Sequence, residues 1–210
     1  MNKLGDLSCN EFLTELASAA PAPGGGGGAA MAGALAAALA SMVANLTIGK
    51  EKFADREPEV KELLEQAEAE RVRLLTLVDE DAAVFNSFMS CYKLPKTTDE
   101  EKAARTAAIR AAAKQAATVP LNIARSSFAV LKLADRLVVA GNPGVITDGA
   151  CSGLLARAAL RCAEYNVRIN LGLTKDEVWN AQAAADLKQL LADAEALETR
   201  LLAVTDKALQ

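Results

Sequence analysis

The chain has 210 residues, of which 51% are hydrophobic but only 4% aromatic, so its apolar content is mainly alanine, leucine and valine. This length is enough to bury one sizeable core, and this composition favours helices over strands. The net charge of −4 argues against a nucleic-acid partner, whose phosphates require a basic surface. The chain has no histidine, so an acid–base catalyst must be another side chain, and a transition-metal site would lack its commonest ligand.

The four cysteines are scattered and lack the Cys-x-x-Cys spacing of zinc and redox sites. We therefore expect free thiols in a reducing cytosol and no disulfide framework. The first residues lack the apolar segment and cleavage site of a signal peptide, which also favours a cytoplasmic location.

Helix signals follow one another along the chain. The Ser/Thr-x-x-Glu capping-box pattern occurs three times, at Ser8/Glu11, Thr98/Glu101 and Thr174/Glu177. Apolar spacing and breakers predict long helices that run from about Pro58 to Tyr92, from Thr98 to about Gly141, from Asp148 to about Gly172, and over about 175–208. Pro120 should kink or divide the second of these helices. No segment alternates as a strand, so we predict an all-α bundle of long helices, without a sheet, as a single domain over residues 1–210.

No residue from Leu16 to Gly49 is charged, and residues 29–48 have the length of a membrane-spanning helix. About half of this helix is alanine or glycine and its end is polar, so it would insert poorly into a bilayer. We predict a helix buried in a soluble bundle, in which small residues such as Gly33 and Ala37 let a neighbouring helix approach closely. Such a helix often needs a partner subunit to cover it, which predicts a homo-oligomer and no membrane partner.

Five consecutive glycines, Gly24, Gly25, Gly26, Gly27 and Gly28, are expected to lie just before the N-terminus of that helix. Free backbone N–H groups and the helix dipole favour anions or carbonyl oxygens there. Glycines at this point permit positive φ and let a ligand approach the backbone. The alternative is a flexible connector between two helices.

Two carboxylates are candidates for acid–base chemistry. Asp148 follows the turn "GNPG" and is either the N-cap of the next helix or a general acid–base group at the lip of a pocket. Asp81, in "DEDAAVF", lies beside the apolar face of a long helix. It is either a partly buried salt-bridge partner or a catalytic group with a raised pKa.

Three basic residues also stand out. Lys50 and Lys52 follow the uncharged helix, whose C-terminus favours cations, and Arg168 lies between two asparagines in "NVRIN". These residues have two interpretations. They are either solvated surface residues or cations that interact with a helix C-terminus, or together they bind the acidic tail of a ligand.

Seven motifs in this order resemble the cyclodeaminase/cyclohydrolase family of folate enzymes. They span about residues 8–172 and read "LASAAPAPGGGGGAA", "ASMVANLTIGK", "DEDAAVFNSFM", "LPKTTDEEKAAR", "VPLNIA", "GNPGVITD" and "NVRINL". Cyclodeaminases usually read "PGGGSVAA" where this chain reads "PGGGGGAA", a form more similar to the stand-alone methenyltetrahydrofolate cyclohydrolases. The chain departs from the family's "GKKKY" and "GNPNxxSD" patterns at Glu51, Phe53 and Gly144.

The resemblance implies an all-α bundle that assembles through dimers and binds a reduced folate, often with a polyglutamate tail. It implies hydrolysis of methenyltetrahydrofolate to formyltetrahydrofolate through a tetrahedral carbon, with no metal and no cofactor beyond the folate. The chain length also matches the stand-alone members, which carry no transferase domain. The alternatives are a formimidoyltetrahydrofolate cyclodeaminase that releases ammonia, and a non-catalytic folate-binding or scaffold module.

Within that resemblance we assign provisional roles to the candidate residues. Asp148 is expected to be the general base, so that Asp148→Asn would lose at least about 100-fold in turnover. Asp81 is the second candidate, and Lys50 is a proton donor. The glycine run, Asn45 and Asn142 are expected to contact the pterin or the bridging carbon, and Lys52 and Arg168 are expected to hold the tail.

Overall fold

The computed structural model describes residues 3–210, and no strand occurs in this range. The all-α prediction is therefore confirmed. The described residues form six α-helices: α1 (Cys9–Leu16), α2 (Gly25–Asn45), α3 (Glu57–Cys91), α4 (Asp99–Ala140), α5 (Ile146–Thr174) and α6 (Glu177–Ala208). Short 3-10 turns occur at Leu4–Asp6, Glu51–Phe53 and Pro143–Val145.

Helix α2 lies at the centre of the bundle, in contact with α3, α4 and α5, and α6 packs on the outside of α4 and α5. By length and composition α2 is long and apolar enough to cross a membrane, yet most of this helix is buried among the other helices. A Cβ atom on Gly33 would lie 3.0 Å from both Leu74 Cδ2 and Ser127 Oγ. The predicted close approach of helices at this small residue is therefore confirmed.

Two of the three predicted capping boxes are present, at Ser8/Glu11 and Thr98/Glu101. The third is wrong. Thr174 is the last residue of α5, because Lys175 has a left-handed backbone conformation (φ 56°) that ends the helix. Asp176 caps α6 instead, and its carboxylate accepts a hydrogen bond of 3.0 Å from the backbone N–H of Trp179.

The glycine run lies within α2 and does not precede it. Gly24 is the N-cap, and the four following glycines form the first turn of the helix. None of the five has a positive φ. Within residues 3–210, Gly49 is the glycine that has one. The positive φ that glycine permits is therefore not used at these five positions, and the other property of glycine, the space left by the missing Cβ, has to be considered.

Two further boundaries differ from the prediction. Helix α4 continues without interruption through Pro120, which therefore does not divide it. Asp148 is not an N-cap, because the turn Pro143–Val145 leads directly into α5 and makes Val145 the residue before the helix. Asp148 is the third residue of α5, where its negative charge still interacts favourably with the helix N-terminus.

Candidate active site

A cavity of about 290 Å³ lies at the N-terminal end of α2. Helices α3, α4 and α5 continue past this end of α2, and the cavity lies between them. The lining residues come from all four helices and the preceding turn: Pro21, Ala22, Gly24, Gly25, Gly26, Asp81, Val84, Phe85, Phe88, Ala116, Val119, Pro120, Asn166 and Asn170. The walls are therefore largely apolar, with a few convergent polar groups, as in many small-molecule sites.

Asp81 is the one ionisable side chain among these lining residues. Burial raises its pKa, and the backbone N–H of Gly27 partly opposes this rise by stabilising the charged form. Among residues 3–210 no basic side chain forms an ion pair with Asp81. Of the two alternatives that the sequence left open, the salt bridge is absent from the described residues, and the catalytic role of Asp81 stays a prediction.

The glycines make room for this carboxylate. A Cβ atom on Gly26 would overlap the Asp81 carboxylate oxygens, and one on Gly25 would lie 3.4 Å from the side-chain nitrogen of Asn166. A Cβ on Gly28, one position further along α2, would meet only Leu16 Cδ2, at 3.9 Å. The Cβ on Gly25 would be at ordinary contact distance, so Gly26 is the position at which bare backbone lets α2 end directly against the Asp81 carboxylate of α3. The free N–H groups of this helix end lie at the cavity.

Two asparagines on α5 complete the polar lining. The Nδ2 of Asn166 donates to the backbone carbonyl of Cys162 at 2.9 Å, and the Nδ2 of Asn170 donates to that of Ala116 at 2.9 Å. Because a carbonyl oxygen only accepts hydrogen bonds, these contacts fix which end of each amide is the nitrogen. In the sequence both asparagines stand out only as neighbours of Arg168. Their spacing of four residues, which places them on one helix face, was the signal that could have found them.

Five of the predicted residues lie at the opposite end of α2 from this cavity: Asn45, Lys50, Lys52, Asn142 and Asp148. A helix of 21 residues is about 30 Å long, so the two ends are far apart within one chain. Asp148 and Asn166 are likewise separated by about 27 Å along α5. The structure therefore brings the glycine run and Asp81 together, and does not bring Asp148 or Lys50 to them within one chain.

Asn142 is buried, and both polar atoms of its side chain are bonded to the backbone of its own turn and of the end of α2. Its backbone N–H donates to Thr47 Oγ1 at 2.8 Å, its Nδ2 donates to the carbonyl of Leu46 at 3.1 Å, and its Oδ1 accepts from the N–H of Gly144 at 3.0 Å. These bonds tie the end of α2 to the turn before α5. They explain the conformation of the "GNPG" motif without a ligand.

The remaining polar candidates lie on the surface. Asn45, Lys50 and Lys52 are exposed, and the ammonium of Lys52 lies 4.7 Å from the centre of the Phe53 ring. The Arg168 side chain is 62% exposed and pairs with Glu164 at 3.3 Å. It is two residues from both cavity asparagines, so it lies on another face of α5. Its predicted role toward a ligand tail stays a prediction, as do those of the two lysines.

The fold is an all-α bundle, and its candidate small-molecule site is a cavity at a helix N-terminus with one carboxylate that has no basic partner within the described residues. The family model described as formiminotransferase-cyclodeaminase matches residues 8–189, and the chain belongs to that family.

Known relatives agree with this assignment. The chain is 44% identical over 197 residues to a methenyltetrahydrofolate cyclohydrolase from Methylorubrum extorquens, covering 94% of this chain and 95% of that protein. It is 33% identical to the formimidoyltransferase-cyclodeaminase of Sus scrofa, covering 87% of this chain but 34% of that longer protein. The crystal structure of a formiminotetrahydrofolate cyclodeaminase from Thermotoga maritima superposes with a TM-score of 0.88 at 30% identity, covering 98% of both chains.

Proposed function

We propose that this chain is a folate one-carbon enzyme that hydrolyses methenyltetrahydrofolate to formyltetrahydrofolate, with Asp81 as its central carboxylate. The observation that carries the proposal is the Asp81 carboxyl itself, which is partly desolvated, has no basic partner and is the one ionisable group lining the cavity. The substrate carries a positive charge delocalised over a carbon and the two folate nitrogens that it joins. An unpaired carboxylate in an apolar cavity favours such a cation strongly.

The chemistry requires few groups. Water adds to the bridging carbon, and its proton passes to the Asp81 carboxylate, which leaves a tetrahedral carbon bonded to oxygen and two nitrogens. The carbon–nitrogen bond then breaks as the departing nitrogen takes up the proton from the Asp81 carboxyl. The remaining hydroxyl proton passes to the freed carboxylate and on to solvent, and the oxygen becomes the formyl carbonyl. Fixed positions and one acid–base group can supply this. The proposal therefore includes no metal and no cofactor beyond the folate.

The choice between the two family activities rests on similarity. The relative named a cyclohydrolase is 44% identical to this chain, whereas the cyclodeaminases of Sus scrofa and Thermotoga maritima are 33% and 30% identical, the latter also over nearly the whole of both chains. In the cyclodeaminase alternative a folate nitrogen attacks a formimino carbon and ammonia departs. Its tetrahedral carbon also bears two folate nitrogens, so the same cavity would serve both reactions.

We propose in addition that a second copy of the chain covers α2, as a homodimer in the cytoplasm. Three apolar side chains form a stripe on the outer side of α2 and its C-cap. They are Leu35, Met42 and Leu46, which are 56%, 42% and 36% exposed, and no charged residue lies between them in the sequence. A two-fold axis near the middle of α2 would place one copy's C-terminal end beside the other's cavity. That arrangement is the one in which Asp148 and Lys50 could reach a cavity, so their predicted roles depend on it.

The oligomeric proposal is tested by Leu35→Glu/Met42→Glu, measured by light scattering after size-exclusion chromatography. We expect a dimer for the unmodified chain and a monomer for the variant. A monomeric unmodified chain, or a variant that stays dimeric, would exclude this interface.

The activity is tested by following the loss of methenyltetrahydrofolate absorbance in a buffer where its spontaneous hydrolysis is slow. We expect a rate proportional to enzyme concentration and faster than ammonia release from formiminotetrahydrofolate under matched conditions. Faster ammonia release would establish the cyclodeaminase alternative. Neither activity, with the fold intact by circular dichroism, would favour the non-catalytic folate-binding or scaffold module.

A further inference from the structure

The proline within α4 leaves one carbonyl group of that helix without its usual donor. In an α-helix the N–H of residue 120 would bond to the carbonyl of residue 116, but Pro120 has no N–H. The carbonyl of Ala116 lines the cavity and accepts a hydrogen bond from Asn170 Nδ2 at 2.9 Å instead. A side chain of α5 thus takes the place of the missing backbone donor of α4.

This bond orients both cavity asparagines. The Nδ2 of Asn170 also donates to the backbone carbonyl of Asn166 at 2.8 Å, so both of its hydrogens are used. The Nδ2 of Asn166 is held by Cys162. Within residues 3–210 neither Oδ1 atom accepts a hydrogen bond, and both side chains line the cavity. The pair therefore presents two oriented side-chain amide oxygens that can accept hydrogen bonds from N–H donors.

We infer that Asn166 and Asn170 determine ring specificity by accepting hydrogen bonds from N–H groups of the substrate's reduced pterin, and that Pro120 positions Asn170 for this task. The inference rests on the proposed function. A 2-amino-4-oxo-pyrimidine ring carries N–H donors on one edge, whereas its oxygen is an acceptor suited to the free N–H groups at the start of α2. The apolar side chain of Phe85 in the cavity lining suits the ring itself.

The first test compares the binding of tetrahydrofolate and of its analogue with hydrogen in place of the 2-amino group, by titration calorimetry. We expect the unmodified chain to bind the analogue at least about tenfold more weakly, because it leaves an acceptor in the cavity unpaired. In Asn166→Ala/Asn170→Ala this ratio should fall below about threefold. Asn86→Ala, on the exposed surface of α3 and outside the cavity lining, is the matched control and should keep the full ratio.

The second test isolates Pro120. The variant Pro120→Ala restores an N–H that competes for the Ala116 carbonyl, so Asn170 loses its fixed orientation. We expect KM to rise about 3–10-fold with little change in kcat, and no such rise when Asn170→Ala is already present. An unchanged KM, or an equal rise in both backgrounds, would overturn the positioning role.

The outcomes separate the two levels of the argument. If the unmodified chain fails to bind tetrahydrofolate, the proposed function fails and this inference fails with it. If tetrahydrofolate binds but the double variant keeps the full ratio, the proposed function stands and the role of the asparagines is wrong.

Discussion

The two ends of α2 are rich in the same residue types but use them differently. The N-terminal end combines prolines, glycines and asparagines around the cavity, and the C-terminal end combines them in the "GNPG" turn. At the C-terminal end both ends of the Asn142 amide are bonded to the backbone. At the N-terminal end Asp81 has no basic partner and burial raises its pKa.

The comparison shows that residue composition does not mark a ligand site. What marks it is hydrogen-bonding capacity that the fold leaves unused next to a cavity. Both polar atoms of the Asn142 side chain are bonded to the backbone, whereas the Oδ1 atoms of Asn166 and Asn170 accept no bond within the described residues and Asp81 has no basic partner. If this distinction is right, substitutions at the N-terminal end should reduce activity while the fold persists, and substitutions at the C-terminal turn should reduce stability.

The largest expected effect belongs to Asp81→Asn. It keeps the shape of the side chain but removes the negative charge opposite the substrate cation and the acceptor for the water proton. We expect turnover of methenyltetrahydrofolate to fall at least about 100-fold with an unchanged circular dichroism spectrum. Near-normal turnover would transfer the role to another carboxylate, and Asp148→Asn, measured in parallel, shows whether that carboxylate is Asp148.

A smaller effect is expected from adding one methyl group to the glycine run. In Gly26→Ala the new Cβ overlaps the Asp81 carboxylate, which must move, so we expect kcat/KM to fall about tenfold or more. Gly28→Ala is the matched control, since its Cβ meets only Leu16 at ordinary contact distance. That control should keep full activity and gain about 0.5–1 kcal/mol in free energy of unfolding, because alanine is the better helix former. Equal loss of activity in both variants would contradict the argument from space.

At the other end of α2, Asn142→Ala should act on stability. It removes the hydrogen bonds that the buried Asn142 side chain makes to the Leu46 carbonyl and the Gly144 N–H. We expect a loss of about 2 kcal/mol, seen as a Tm lower by about 4–8 °C. The value of kcat/KM per folded molecule should be unchanged below the new Tm. A loss of activity without a loss of stability would instead support the predicted contact between Asn142 and the folate.

The fold was predictable because its determinants are local. Capping boxes at Ser8 and Thr98 and the apolar spacing along each helix depend on residues a few positions apart, and both boxes are present. The errors at Thr174 and Asp148 concern where a helix begins, which is decided by the preceding turn. Pattern reasoning places such ends only to within a few residues.

The site was only partly predictable because its determinants are long-range. The glycine run and Asp81 were both recognised, but their contact joins two helices about 55 positions apart, and it replaces the expected positive φ as the reason for the glycines. The orientation of the Asn170 side chain, which leaves its Oδ1 free to accept a hydrogen bond, depends on the Ala116 carbonyl that Pro120 frees on another helix. The residue spacing within one helix cannot predict a contact between two different helices.

The smallest expected effect sharpens the same comparison through pH. Burial raises the folded-state pKa of Asp81 above the ordinary value of 3.8, so the folded state binds its proton more tightly than the unfolded state does. This carboxyl therefore lowers stability as pH rises from below 3.8 through its folded-state pKa. Asp81→Asn removes that titration, so its Tm should match that of the unmodified chain near pH 3.5 and exceed it at pH 7. The gain in Tm at pH 7 has the sign that the raised pKa requires. Asn142→Ala should lower Tm at both pH values, because its lost bonds are to uncharged backbone groups. A Tm difference for Asp81→Asn that does not vary with pH would mean that its carboxyl is not the unpaired group on which the proposed mechanism depends.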